Sequence, residues 1–253
     1  MNTSSISSRN ISAEEKKIRQ DLAACYRLFH HYQLTDIIYN HISARLPGTQ
    51  DLFLINPYGL MYDEMTASCF VVVDVNGDIV YDPTGLGINP GGFTLHSAVH
   101  MARHDVQCVM HTHTESTVAV SCMARGVLPL SQHAMRFHNR IAYHSYEGVL
   151  FTNEERLRVQ SALSDKLVML LRNHGSLVCG RTIPEAFDLM IHLERACQAQ
   201  VKTLMSGEQL IMPSPEVAEQ VAQAYESPKR QGGDKAWPAL MRMLDRQDPS
   251  YKD

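Results

Sequence analysis

The stretch Val109-Met110-His111-Thr112-His113-Thr114-Glu115-Ser116, or VMHTHTES, sets two histidines two positions apart at the end of an apolar run. Side chains alternate along a strand, so Val109, His111 and His113 face one way while Met110 and Thr112 face the other. Two imidazoles ~6–7 Å apart along a strand can converge on one divalent ion where that strand ends at a cleft. The alternative is a pair of strand-end histidines bonded to water or backbone, and in a chain with 13 histidines such pairs also arise by chance.

A third histidine bears on the choice. Asn173-His174-Gly175 follows a second apolar strand, Leu167 to Leu171, and the glycine permits a sharp turn that presents an imidazole at the sheet edge. Three neutral imidazoles leave an ion its double charge and an open position, which is the catalytic rather than the structural kind of zinc site.

Around these residues the chain alternates short strands and helices. Ser12-Ala13-Glu14-Glu15 forms a capping box that opens a helix with Ile18, Leu22, Cys25, Tyr26 and Phe29 on its apolar face. From Tyr32 to about residue 85 the pattern is that of an antiparallel sheet, with Asn76-Gly77 as a tight turn. Next come a helix over Phe93 to Arg103, a strand over Val106 to His113, a helix over Thr114 to Met123, and two strands meeting at His174-Gly175. Pro184 opens a long helix to about Met205, and another helix covers Glu216 to Tyr225. The expected organisation is a disordered tail over 1–12, one α/β domain over 13–210, and a C-terminal helix and polar tail over 211–253. Trp237, Leu240 and Leu244 of that tail are expected to pack on the domain or on a neighbouring subunit.

Composition narrows the function. Lys plus Arg number 23 and Asp plus Glu 27, for a formal net charge of -4, which argues against nucleic acid or an anionic membrane as partner. The six cysteines are scattered among apolar positions and read as reduced, mostly buried thiols. MNTSSISSRNIS lacks the apolar core of a signal peptide, and no stretch approaches the ~18 apolar residues of a membrane span. A cytoplasmic protein is therefore expected, in which the sequon at Asn10 carries no meaning.

NHISARL (40–46), LINPYGLMYDEMTAS (54–68), GFTLHSAVHMARHDVQCVMHTHT (92–114), AYHSYEGV (142–149) and LLRNHGSLVCG (170–180) together resemble the class II aldolase and adducin head-domain family. The resemblance runs in family order over roughly residues 15–210. It implies a class II aldolase-like three-layer sandwich: a central, mostly antiparallel sheet flanked by helices. It also implies a homo-oligomer, with a tetramer favoured, sites between subunits, a small-molecule substrate, and a divalent metal, usually zinc, on His111, His113 and His174.

The implied activity is a lyase reaction that breaks a carbon–carbon bond in a small hydroxy- or oxo-carbonyl compound through a metal-stabilised enolate. One departure bears on it. Aligned without a gap from His111, the position where the sugar-phosphate aldolases carry a proton-moving acidic residue falls on Gly92, and their phosphate-holding serines fall on Pro90 and Gly91. Decarboxylation of a keto acid needs no base for the bond-breaking step, and metal-dependent decarboxylation or epimerisation of a non-phosphorylated acid is an alternative reading. An adducin-like interaction module without turnover is a further reading, favoured by residues 54–68 and 92–99.

Glu115 is a candidate base or fourth ligand, with a first-turn helix charge as the alternative. Tyr146 is a candidate catalytic group, in a segment with His133, His138 and His144 that approaches the site in the family. Asn40-His41 resembles the family's substrate-loop region and Tyr58-Gly59 its second such loop; Asn40, Tyr58, Gly59, Gly91 and Gly92 are candidate substrate-binding positions, and Asn40 has the alternative of satisfying backbone in a turn. His96 and His100, four apart on the predicted helix, are expected to play structural roles.

Overall fold

The computed structural model describes residues 11–148, 153–227 and 232–253. The expected tail and the sequon asparagine lie outside these residues up to position 10.

Ser12 caps the first helix, α1 (Ala13–His31), its hydroxyl accepting from the Glu15 amide at 3.1 Å, and Leu22, Cys25, Tyr26 and Phe29 of the expected face are fully buried. Four antiparallel strands follow: β1 (His41–Arg45), β2 (Leu52–Ile55), β3 (Val71–Asp74) and β4 (Ile79–Tyr81). The β3–β4 turn closes at Asn76-Gly77, where Gly77 takes φ 104° and Asp74 Oδ1 accepts from the amides of Asn76, Gly77 and Asp78.

The remaining elements are α2 (Pro90–Ala102), β5 (Cys108–Thr112), α3 (Glu115–Ser121), α4 (Gln132–Met135), β6 (Ile141–His144), α5 (Asn153–Leu163), β7 (Val168–Leu171), β8 (Gly175–Gly180), α6 (Ile183–Met205), α7 (Pro215–Glu226), α8 (Ala236–Gln247) and a short 3-10 helix over Pro249–Lys252. The expected helix at 93 begins three residues earlier, because Asn89 caps it and Pro90 suits its first turn. α4, β6 and α5 have no counterpart in the sequence reading, and α8 forms where a polar tail was expected, with Trp237 and Leu244 buried. β6 is four residues long, and α5 presents a weak apolar stripe in which Leu157 is exposed while Val159 and Leu163 are buried.

The eight strands make one sheet in the order β4-β3-β2-β1-β5-β8-β7-β6, antiparallel throughout except for the β6–β7 pair. Alternation along β5 assigns the layers. Cys108 and Met110 join a core with α1 and α6 residues such as Leu22, Phe29 and Leu193, whereas Val109 joins Leu95, Val99 and Val159 of α2 and α5. Helices therefore cover both faces, and each fully buried large apolar side chain contributes about 1.5–3 kcal/mol. α8 packs on its own chain: Trp237 meets Phe187 edge-on at 5.8 Å, and its indole N–H donates to Asp21 at 3.2 Å. Among the described residues no helix is long and apolar enough to cross a membrane.

Candidate metal centre

β5 lies between β1 and β8, with His41 opposite His111 in one register and Leu177 opposite His111 in the other. His111 continues the Val109 face, and His113 follows the last residue of the strand. The third histidine arrives by a different device from the one expected. It is Asn173 that takes the left-handed conformation, at φ 58°, and the His174 amide closes the turn onto the Leu171 carbonyl at 3.1 Å. Gly175 is needed for closeness instead, since a Cβ there would overlap the Thr112 carbonyl oxygen. The absent side chain lets β8 start against the end of β5, which sets His174 beside His113.

The three rings form a tight rosette. Nε2 of His111 lies 2.8 Å from Nε2 of His113, which lies 3.0 Å from Nε2 of His174. His111 Nδ1 meets the Ser176 carbonyl at 2.9 Å, and His113 Nδ1 meets the Asp36 carboxylate at 2.9 Å. A carbonyl and a carboxylate can only accept, so both Nδ1 atoms carry the proton and both Nε2 atoms turn a lone pair inward. Two such lone pairs have no proton to share, and a divalent cation is the partner that this donor set fits. Burial, and after it the neighbouring His41, holds the His111 imidazole well below the ordinary range, and burial beside His113 pushes His174 down to about 4. Both groups are thus kept neutral, the form that ligates metal.

Of the other expected site residues, Tyr146 comes next to the rosette, its ring edge-on to His174 at 6.2 Å. It lines an open cleft of about 480 Å³ with Ser121, Cys122, Arg172 and Asn173. Glu115 is exposed at the start of α3, and the group able to close on one ion, among the described residues, is the three histidines without it. Asn40 is fully buried and both ends of its amide are engaged, Nδ2 donating to Leu34 O at 2.9 Å and Oδ1 accepting from the His113 amide at 3.1 Å. It braces the backbone of His113. The half-buried Tyr58 bonds through its amide to Gly87 O at 2.9 Å, with Gly59 exposed beside it. Gly91 donates to the Asn89 cap at 3.1 Å, and Gly92 backs directly onto the His41 ring.

His144 is buried on β6 within 3.7 Å of Glu155, and His133 pairs with His192 at 5.2 Å. His96 and His100 are both buried and are joined through Ser43 rather than to each other. Asp36 and Glu194 went unremarked in the sequence. Glu194 is a buried α6 carboxylate that accepts from Thr114 and Thr117, each at 2.6 Å, and ties α3 to α6 below the site. Neither carries a local pattern, because each is defined by a partner some 77 or 80 positions away.

The family described as Class II Aldolase and Adducin N-terminal domain matches residues 20–201. A Pseudomonas aeruginosa protein named for the class 2 aldolases is 47% identical over 246 residues, covering 96% of this chain and 94% of its own length. Alpha-adducin of Rattus norvegicus is 41% identical over 91% of this chain, which spans 33% of that protein. Among solved structures, an aldolase II superfamily protein from Pseudomonas syringae has a TM-score of 0.91 at 46% identity, over 96% of this chain and 98% of its own. The L-fuculose 1-phosphate aldolase of Glaciozyma antarctica reaches 0.85 at 26% identity, covering 99% of this chain and 97% of its own.

Proposed function

The chain belongs to the class II aldolase and adducin family, and on that premise we propose that it is a divalent-metal-dependent lyase cleaving a carbon–carbon bond in a small hydroxy- or oxo-carbonyl compound. The observation that carries the reading is the convergence of three Nε2 atoms, two of them on rings whose Nδ1 protons are committed outward to Ser176 and Asp36. His111, His113 and His174 would hold the ion, with zinc the expected metal. A cation held there supplies polarisation of a carbonyl oxygen and stabilises the charge that develops on it as the adjacent bond breaks. Asp36 orients His113 and Asn40 fixes its backbone.

Proton traffic is assigned to the Tyr146 hydroxyl, on a ring that stands beside His174 and opens to the cleft. Glu115, at the positive end of α3, is the second candidate from the rim. Substrate would lie between this cleft and the glycines at the start of α2, with the Tyr58-Gly59 turn at the outer edge. Exposed Ile37, Tyr39 and Tyr146 around the histidines support a site completed by a second copy of the chain, in a homo-oligomer for which four copies are favoured.

The test is turnover of zinc-loaded protein with a panel of small oxo acids and aldols, read by aldehyde and carbon dioxide release. The His113→Ala variant should lose turnover while its assembly state is kept. A second reading, a metal-holding interaction module without turnover, is favoured by the 41% identity to alpha-adducin. It predicts no product from any carbonyl compound with zinc bound.

A further inference from the structure

Behind the rosette lies a buried chain of polar groups that the proposed reaction does not use. His41 stacks on the ligand His111, with ring centroids 4.9 Å apart and planes at 27°. Its Nδ1 meets His96 Nε2 at 2.8 Å, His96 Nδ1 meets Ser43 Oγ at 2.5 Å, and Ser43 Oγ meets His100 Nε2 at 2.8 Å. The chain stops there, because His100 Nδ1 is buried without a hydrogen-bond partner among the described residues. At the other end His41 Nε2 makes no hydrogen bond to the described residues, and it fills the space beside Gly92, where a Cβ would come within 2.5 Å of it. Any side chain at position 92 would have to displace this imidazole.

Each of the three links holds one proton, and the fully buried Ser43 hydroxyl has acceptors only within the chain among the described residues, so two orders satisfy it. If His41 donates first, His100 is left with an N–H buried against nothing. If His100 donates first, it is left with a bare lone pair. Orphaned buried N–H groups are the rarer and costlier of the two. The protons therefore run from His100 Nε2 to Ser43, from Ser43 to His96, and from His96 to His41, which leaves His41 with its proton on Nε2. Burial holds the His96 and His100 imidazoles well below their ordinary range, so these links work with neutral rings.

We propose that His41 is a substrate-anchoring residue, fixed by His96, Ser43 and His100 as an Nε2–H donor beside the metal-ligating histidines, and that the site takes substrates with a carboxylate next to the reacting carbon, the 2-oxo and 2-hydroxy acids. This rests on the metal-dependent reading above. With no acidic side chain at Gly92, an N–H donor and a divalent charge on the same flank both attract anionic oxygen. His96, Ser43 and His100 are positioning residues: they touch no substrate and set which nitrogen of His41 carries hydrogen.

Nitrogen NMR of histidine-labelled, metal-free protein, with His41 assigned through His41→Phe, should find its proton on Nε2, and His100→Phe should abolish that preference. Calorimetry on zinc-loaded protein should show oxalate weakened tenfold or more by His41→Phe, with zinc content unchanged. His41→Gln, which keeps an N–H donor, should restore most of the affinity, and inorganic phosphate should bind more weakly than oxalate. A proton on His41 Nδ1, unchanged oxalate affinity in zinc-loaded His41→Phe, or phosphate binding tighter than oxalate would overturn the proposal. Failure to take up zinc would instead overturn the function proposed above, while the tautomer, read without metal, would still decide the role of the chain.

Discussion

At the scale of single residues, the site depends on protons being pinned in place. His113 can offer Nε2 because Asp36 holds the hydrogen of Nδ1 at 2.9 Å. Asp36→Asn keeps an acceptor in the same place but removes the charge that orients the ring and strengthens its basicity. Zinc affinity should fall about 10–100-fold, measured by competition with a chromogenic chelator; an unchanged affinity would show that Asp36 only fills space. The histidine identities were legible in the sequence because H-x-H and N-H-G are local patterns at strand ends. Asn40-His41 was legible as part of a substrate loop, but Asp36 and the links from His41 to His96, Ser43 and His100 were not, since they are defined by register: β1 sets His41 opposite His111.

At the scale of elements, the close approach of β8 to the end of β5 builds the rosette. Gly175→Ala puts a methyl group onto the Thr112 carbonyl. The strands must separate there, costing about 1–3 kcal/mol in a urea unfolding curve and weakening zinc binding together with stability. A variant that keeps both would show that the turn tolerates a side chain. Glu194 does similar work between α3 and α6. Glu194→Gln leaves two buried threonine hydroxyls competing for a poorer acceptor and should cost about 1–3 kcal/mol in the same assay. Strand and helix positions were largely readable from alternation and capping, as with Ser12 and Asn76-Gly77. The stretch from α4 to α5 was not, because α5 buries few apolar residues and is held by partners elsewhere: Gln160 donates to the Ala98 carbonyl of α2 at 2.8 Å.

At the scale of the whole molecule, five histidines, His41, His96, His100, His111 and His174, are kept neutral by burial in the folded chain. Each has a lowered folded pKa, so unfolding binds protons below the ordinary value near 6.5. Their contribution is therefore complete above that pH and is lost as pH falls toward the folded values, about 4 for His174. The slope is about 1.4 kcal/mol per pH unit for every proton taken up. Metal-free protein should lose stability steeply between about pH 6.5 and 4.5, and a urea midpoint that stays flat over that window would contradict the burial of these rings.

Whether His111, His113 and His174 together hold one divalent cation is decided by elemental analysis of protein purified without added metal, wild type beside a His111→Ala, His174→Ala double variant. Wild type should carry about one zinc or other divalent ion per chain and the variant none, with both folded. No bound metal in the wild type, and none taken up on titration, would contradict a shared site.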